Sequence, residues 1–180
     1  SFYGALSGGL DYFTHCDSRG THDLWIGDAE HHEDGYLTDL VTERAVRTIH
    51  AAAEAREPLF LSLHYTAPHW PWETRNDAHL GPQVKNNLFH LDGGSVDTYR
   101  RMIHHMDEGI GRIRRALAAI GASDNTLLVF TSDNGGERLS DNRPFFHGKY
   151  TLWEGGIRVP AIVRWPGQLP AHHVSKQPVI

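Results

Sequence analysis

The amino-acid sequence predicts an α/β domain with a mostly parallel sheet flanked by helices. Two observations support this fold class: two long stretches with helical periodicity, and short apolar runs that follow them along the chain. Helices and strands that alternate in this order are typical of domains with parallel sheets. The chain has 180 residues, enough for a substantial core. We expect residues 1–180 to form part of a single domain without an internal boundary.

The two helices are the clearest elements. From residue 36 to about residue 56, apolar side chains recur at steps of three and four, and Thr38 is a candidate cap. Residues 99–120 carry the longest amphipathic stripe, and Gly121 is a candidate C-cap. The apolar residues of this second stripe are Tyr99, Met102, Ile103, Met106, Ile110, Ile113, Leu117 and Ile120.

Short apolar runs predict the strands. Residues 59–65 and 127–131 are predicted to be buried strands, and residues 161–163 a third, short strand. Residues 1–35 are rich in Gly, Asp and His, and we expect loops there with short strands at most. Residues 73–95 are typical of a loop or an excursion from the domain.

Composition excludes several classes of function. The net charge of −5 and pI of about 6.2 argue against a general nucleic-acid-binding protein, which would usually be basic. No apolar run approaches the roughly 18 residues of a membrane span. The 14 histidines include no HExxH motif and no Cys/His zinc spacing, so the sequence does not favour a zinc enzyme. Cys16 stands alone, which rules out an internal disulfide.

The chain begins with "SFYGALSGGLDYF", without Met and without a basic-then-apolar signal peptide. It stops equally abruptly at "SKQPVI". We therefore expect this sequence to be a piece of a longer protein.

Polar side chains follow two of the predicted strands. Asp133 and Asn134 come directly after the strand at 127–131, and His69 follows the strand at 59–65. In parallel sheets, ligands bind beyond the carboxyl ends of the strands, so these groups can face one crevice. Carboxylate and carboxamide oxygens suit Ca²⁺ or Mg²⁺, which need further ligands from elsewhere. The alternative is that Asp-Asn-Gly-Gly is merely a turn.

Lys149 is a second candidate for binding chemistry. It lies among Gly148, Gly155 and Gly156, in a stretch otherwise poor in cations until Arg158. An ammonium group beside a metal would suit an anionic substrate. The alternative is a solvated surface lysine.

These segments resemble the sulfatases of the alkaline phosphatase superfamily, including the arylsulfatases. The resemblance rests on "LLVFTSDNGG" followed by "HGKYTLWEGGIRVPAIVRWPG". It extends to "GGLDYFTH", "GYLTDLVTERAVRTI", "PLFLSLHYTAPHWPW" and "YRRMIHHMDEGIGRI", in the family's usual order. It covers nearly the whole chain except residues 81–95, and it implies a partial alkaline phosphatase-like sulfatase domain.

The resemblance implies a role for each candidate residue. Asp133 and Asn134 would be two ligands of an active-site Ca²⁺, or of Mg²⁺. Lys149 and His69 would contact the substrate sulfate, and either could protonate the departing alcohol. Two further residues, His147 and Arg158, are secondary candidates for binding substrate. The same comparison implies that Trp153 and Glu154 fix their loop and that Asp107 is structural.

The family's nucleophile motif is not found in this sequence. Sulfatases convert a Cys or Ser in Cys-x-Pro-x-Arg to formylglycine, whereas Cys16 is followed by Arg19 with no proline between them. Cys16 also lies after the Gly-Gly-Leu-Asp-Tyr segment, while the family's nucleophile lies well before it. We expect formylglycine and the paired aspartates of the metal site upstream of Ser1, and this chain alone to be inactive.

The resulting prediction is a sulfuric ester hydrolase acting on a sugar, aryl or other sulfate ester. The alternatives are a phosphodiesterase or phosphonate hydrolase of the same superfamily, and a non-catalytic homologue that binds sulfated glycans. Trp70 and Trp72 can either stack on a sugar or pack within the protein. By resemblance, the protein would work in the periplasm, in the lysosome or outside the cell. The sequence does not indicate an oligomeric state.

Overall fold

The computed structural model describes residues 1–84 and 93–177. These residues form two compact units, Ser1–Ala116 and Leu117–Ile180. The elements of the first unit are β1 (Tyr3–Gly4), β2 (Trp25–Ile26), β3 (Ala29–Glu30), α1 (Leu37–Ala55), α2 (Gly81–Val84) and most of α3 (Val96–Ala119). Those of the second are a 3₁₀ turn (Ser123–Asn125), β4 (Leu128–Thr131), α4 (Glu154–Ile157) and β5 (Ala161–Arg164).

Helix α1 confirms the first periodic stretch, with a different start. Its apolar face buries Leu37, Leu40, Ala45 and Ile49. The predicted cap is wrong: Tyr36 occupies the N-cap position and its side chain makes no capping hydrogen bond, while Thr38 lies inside the first turn and is buried. Arg56 ends the helix in the left-handed conformation at φ 57°, and its backbone N–H donates to the carbonyls of Ala52 and Ala53.

Helix α3 confirms the second periodic stretch. Met102 and Ile113 are buried along the predicted stripe. Ser95 caps the start, because its hydroxyl accepts a bond from the Thr98 backbone N–H at 3.1 Å. Gly121 ends it as predicted: it adopts φ 70°, and its N–H donates to the Ala118 carbonyl.

The first unit carries a small antiparallel sheet in the order β1-β2-β3. Tyr3 pairs with Ile26, and Trp25 pairs with Glu30. An isolated bridge between Cys16 and His22 extends the paired region ahead of β2. The expectation of loops with short strands in residues 1–35 is therefore confirmed.

Two buried tyrosines, Tyr12 and Tyr36, donate hydrogen bonds to the backbone of residues 69 and 73. The Tyr12 and Tyr36 rings stack at 5.3 Å between centroids. The Tyr12 hydroxyl donates to the His69 carbonyl at 2.9 Å, and the Tyr36 hydroxyl donates to the Glu73 carbonyl at 2.8 Å. A buried hydroxyl that donates to a carbonyl avoids the cost of an unpaired polar group. These two bonds therefore fix the backbone at residues 69 and 73.

The strand predicted at 59–65 is wrong for the described structure. This segment pairs with no other described strand, and Phe60 is 92% exposed. An apolar run reports a preference for burial, whereas a strand also requires a neighbour to complete its hydrogen bonds. The described part of the predicted excursion 73–95 contains α2, and residues 85–92 lie outside the described residues.

The strands predicted at 127–131 and 161–163 are confirmed as β4 and β5. They pair antiparallel, with Leu128 opposite Arg164 and Thr131 opposite Ala161. Both sheets in the described residues are thus antiparallel, and the predicted parallel pairing is not among them. Strand β4 is also less buried than predicted, since Val129 is 57% exposed.

No described helix combines the length and the apolar character that crossing a bilayer demands.

Candidate functional site

The carboxyl end of β4 turns at once into the segment that carries Asp133 and Asn134. The Ser132 hydroxyl donates to the Asn134 carbonyl at 3.0 Å, which folds the chain back on itself. The Asn134 side-chain amide donates to Asp133 Oδ2 at 2.5 Å, so the two side-chain ends meet on the surface. Both side chains therefore follow directly on the end of β4, as the sequence predicts, and their binding of a ligand stays a prediction.

The Asp-Asn-Gly-Gly turn packs directly on the loop that carries Lys149. The Gly135 N–H donates to the Gly156 carbonyl at 2.8 Å, and the Lys149 N–H donates to the Gly136 carbonyl at 3.1 Å. A Cβ atom on Gly135 would lie 1.9 Å from the Gly155 carbonyl oxygen. Only glycine allows this approach, so the glycines of both motifs serve to join the two loops.

Asn142 is a positioning residue that sequence reasoning missed. Its Oδ1 accepts from the Gly136 N–H at 3.0 Å, and its Nδ2 donates to the Gly136 carbonyl at 2.8 Å. Nδ2 also approaches the His147 carbonyl at 3.3 Å. The side chain thus connects the two loops, and its place in a polar stretch without periodicity gave no signal of this role.

The backbone beside Lys149 adopts an uncommon conformation. His147 and Tyr150 have φ values of 66° and 71°, in the left-handed region that non-glycine residues rarely adopt. Such residues cost free energy and cluster at ligand-binding and active sites. The Lys149 ammonium lies 5.2 Å from the centroid of the Tyr150 ring, a cation–π distance.

Arg158, Glu154 and Trp153 make contacts that shape the same loop. Arg158 Nη1 donates to Glu154 Oε2 at 2.8 Å, and its guanidinium stacks 4.8 Å from the Phe145 centroid. The Gly156 N–H donates to the Trp153 carbonyl at 2.7 Å, which begins the turn of α4. These contacts support the loop-fixing role expected of Trp153 and Glu154.

His69 belongs to the first unit, where backbone contacts hold it. Its N–H donates to the Thr66 carbonyl at 2.8 Å, and its ring Nδ1 lies 2.7 Å from the Trp70 carbonyl. The Trp70 ring lies 4.5 Å from the His69 ring. The side chain is partly exposed. That His69 shares a crevice with Lys149 stays a prediction.

Trp72 packs within the protein. It is 5% exposed, and a Cβ atom on Gly94 would lie 2.7 Å from its ring. Trp70 keeps partial exposure and remains a candidate for stacking on a sugar.

Cys16 is a buried free thiol, 9% exposed, whose Sγ lies 3.4 Å from the Thr14 carbonyl. This environment is typical of a structural cysteine, in keeping with its exclusion as the nucleophile.

The second unit thus joins the segment of Asp133 and Asn134 by backbone bonds to the segment that carries His147, Lys149 and Arg158. The two oxygen-bearing side chains fit a hard divalent cation. Their ends already lie 2.5 Å apart, and rotating the Asn134 amide would turn its oxygen to the same side as Asp133 Oδ2. Two ligands leave most of the coordination sphere of Ca²⁺ to other groups.

Comparison with known proteins shows the family to which this chain belongs. The family model described as Sulfatase matches residues 1–179, and the chain belongs to that family. The alkaline phosphatase-like fold class is confirmed by its solved neighbours, among them a crystal structure of Ps i-CgsB in complex with k-i-k-neocarrahexaose. That structure has a TM-score of 0.77 and 34% identity, over 94% of this chain and 40% of that one.

Curated relatives agree with this assignment. Arylsulfatase J of Mus musculus is 34% identical over 177 residues, which are 92% of this chain and 28% of the relative. N-acetylgalactosamine-6-sulfatase of Mus musculus is 34% identical over 147 residues, which are 78% of this chain and 26% of the relative. The chain therefore spans little more than a quarter of the length of either relative.

Proposed function

We propose that this chain is the central-to-late part of one sulfatase catalytic domain, and that the complete protein hydrolyses a sulfate ester. The observation that carries the proposal is the joining of the Asp-Asn-Gly-Gly turn to the Lys149 loop. The Gly135–Gly156 and Lys149–Gly136 backbone bonds hold an oxygen-donor pair and an ammonium-bearing loop together. A solvated surface lysine or a simple turn would need no such junction.

Asp133 and Asn134 would hold the cation, with Ca²⁺ as the first candidate and Mg²⁺ as the second. Sulfatases in general use a metal ion and a formylglycine residue. Bound here, a divalent cation would offset the negative charge that sulfate oxygens gain as the S–O bond breaks. Formylglycine would come from a part of the complete protein outside this sequence.

Lys149 would bind and orient the sulfate. Its ammonium donates charge-assisted hydrogen bonds to an oxyanion, and the strained backbone on either side fixes the position of its Cα. His69 would bind the same sulfate or give a proton to the departing alcohol, since an imidazole titrates near neutral pH. His147 and Arg158 would lie at the edge of the sulfate-binding site as secondary substrate contacts.

A sulfated sugar is the substrate class that the relatives favour. One relative is named for N-acetylgalactosamine-6-sulfate, and one solved neighbour holds k-i-k-neocarrahexaose. A third structure, 29% identical with a TM-score of 0.55, is described under the metabolism of multiple glycosaminoglycans by Bacteroides thetaiotaomicron. The partly exposed Trp70 ring beside His69 would supply a face for a sugar ring.

The test compares two lysine variants in the complete protein that contains this chain. Lys149→Ala should lower kcat/KM for 4-nitrophenyl sulfate and for a sulfated oligosaccharide by about 10²–10³-fold, the usual cost of one oxyanion donor. The exposed Lys176 gives the matched control, and Lys176→Ala should leave turnover unchanged. Equal activity of both variants contradicts the assignment.

The same assay separates the two alternatives. Faster turnover of a phosphate diester or phosphonate than of any sulfate ester would favour the other hydrolases of the superfamily. Binding of sulfated oligosaccharides without turnover would favour a non-catalytic homologue.

A further inference from the structure

Three side chains beside the β2–β3 hairpin converge on one point outside the proposed sulfatase site. His22 precedes β2, Glu30 closes β3, and His32 follows two residues later. One ligand atom from each lies within 4.8 Å of the others. His22 Nδ1 is 3.1 Å and His32 Nε2 is 3.5 Å from the same oxygen, Glu30 Oε1. The cluster therefore has a common centre.

We propose that His22, Glu30 and His32 bind a divalent transition-metal ion, with Zn²⁺ as the natural occupant. Two imidazole nitrogens and one carboxylate oxygen are a recurrent donor set for zinc, and they leave a fourth position for water. Ca²⁺ prefers an all-oxygen environment, so this site differs in kind from the one assigned to Asp133 and Asn134.

The spacing of the ligand atoms already approaches that of a metal site. Around a tetrahedral ion with bonds of about 2.0–2.2 Å, neighbouring ligand atoms lie roughly 3.3–3.6 Å apart. The two separations from Glu30 Oε1, 3.1 and 3.5 Å, lie within a few tenths of an ångström of that range. The His22 and His32 rings stack at 4.0 Å between centroids, with 24° between their planes. An imidazole binds a metal in the plane of its ring, so binding of one ion would turn the two rings out of this stack.

One ligand is held rigidly and the other two are accessible. The His22 side chain is 16% exposed, and its backbone forms the bridge to Cys16. Glu30 and His32 are 48% and 72% exposed. An ion can therefore enter from solvent and bind first between the exposed Glu30 and His32 side chains and the rigidly held His22. Once bound, it would fasten the β2–β3 hairpin to the chain before it.

The competing explanation is that His22, Glu30 and His32 form only ordinary surface ion pairs. The neighbouring pair of His31 and Glu33 serves as the comparison. His31 Nε2 lies 3.1 Å from Glu33 Oε2, so this pair has the same chemistry and the same distance. Glu33 takes its other bond from the Tyr3 hydroxyl rather than from a second histidine. A lone His–Glu pair offers an ion only two ligands, whereas His22, Glu30 and His32 offer the three protein ligands of an open zinc site.

The experiment uses the complete protein that contains this chain, without an affinity tag and stripped of metal, titrates it with Co²⁺ and follows the visible d–d absorption. We expect one Co²⁺ bound per chain, displaced by Zn²⁺ but not by a large excess of Ca²⁺. His32→Ala removes a ligand at an exposed position, so it should weaken binding by about 100-fold or more while the far-ultraviolet circular dichroism is unchanged. His31→Ala should bind as the parent chain does.

Three results would overturn the proposal. The first is the absence of a d–d band at saturating Co²⁺. The second is an equal loss of affinity in His31→Ala and His32→Ala, which would indicate diffuse binding by the chain's many histidines. The third is full displacement by Ca²⁺. None of these outcomes depends on sulfatase activity, so the metal site and the proposed function are tested separately.

Discussion

Replacing Glu73 with glutamine should remove a large pH dependence of folding. Glu73 and Asp11 are both fully buried and face each other in the first unit. Burial, the charge of the adjacent Asp11 and a hydrogen bond to Asp11 together raise the pKa of Glu73 to about 9. Among the described residues, Glu73 Oε1 and Asp11 Oδ2 have no other partner. A proton on Glu73 therefore serves both groups.

The sign of the effect follows from the two pKa values of Glu73. The folded-state pKa of about 9 lies above the ordinary 4.5, so the folded chain binds the extra proton. The stability that this proton confers is complete below about pH 4.5 and is lost as pH rises through 9. Each pH unit in that window costs about 1.4 kcal/mol, so pH 5 to 8 costs about 4 kcal/mol. That is a sizeable share of a domain's total stability.

Glutamine stays neutral and keeps both bonds. Its amide N–H₂ can donate to Asp11, and its oxygen can accept from the Tyr12 N–H that now bonds Glu73 Oε2 at 3.2 Å. Urea unfolding at pH 5 to 8 should show the stability advantage of Glu73→Gln growing by about 1.4 kcal/mol per pH unit. Glu57→Gln, at an exposed glutamate, is the matched control and should run parallel to the parent chain. A constant difference between Glu73→Gln and the parent at every pH would refute this reasoning.

Two further substitutions test the contacts that hold each unit. Arg75→Ala removes a guanidinium that donates two hydrogen bonds of 2.7 Å to Asp39 and also contacts a glutamate of α3. We expect the free energy of unfolding in urea to fall by about 1–2 kcal/mol. The loss stays this small because the arginine side chain is one-third exposed and solvent screens its charge. An unchanged unfolding midpoint would argue against that network. Gly135→Ala drives a methyl group into the Gly155 carbonyl and should cost roughly 3 kcal/mol, with loss of sulfatase turnover in the complete protein. Gly111→Ala on the open side of α3 meets only the flexible end of an arginine and should be neutral or stabilising, and equal behaviour of the two glycine variants would contradict the proposed junction.

Periodicity predicted the helices because a helix is specified by its own sequence. The stripe from Tyr99 to Ile120 and the glycine that follows it contain both the buried face and the stop of α3. Strands β4 and β5 were located by their short apolar runs. The segment 59–65 shows the limit of this reasoning. Its apolar character was evident, but whether a partner strand completes its hydrogen bonds depends on residues elsewhere in the chain.

The sequence supplied the candidate site residues but not the contacts that hold them in place. Motif resemblance pointed to Asp133 and Lys149, while the backbone junction through Gly135 emerged only from the structure. Asn142 escaped notice, because a single asparagine in a polar loop has no pattern to distinguish it. Contacts between residues distant in sequence, such as that of Asp11 with Glu73, leave no periodic signal either.

A crystal structure of the complete protein with Ca²⁺ and a sulfate ester or sulfate tests the central claim most directly. The account predicts an ion about 2.3–2.6 Å from oxygens of both Asp133 and Asn134, with the Lys149 ammonium within hydrogen-bond distance of the sulfate. An ion bound without either side chain, or a sulfate held away from Lys149, would contradict it.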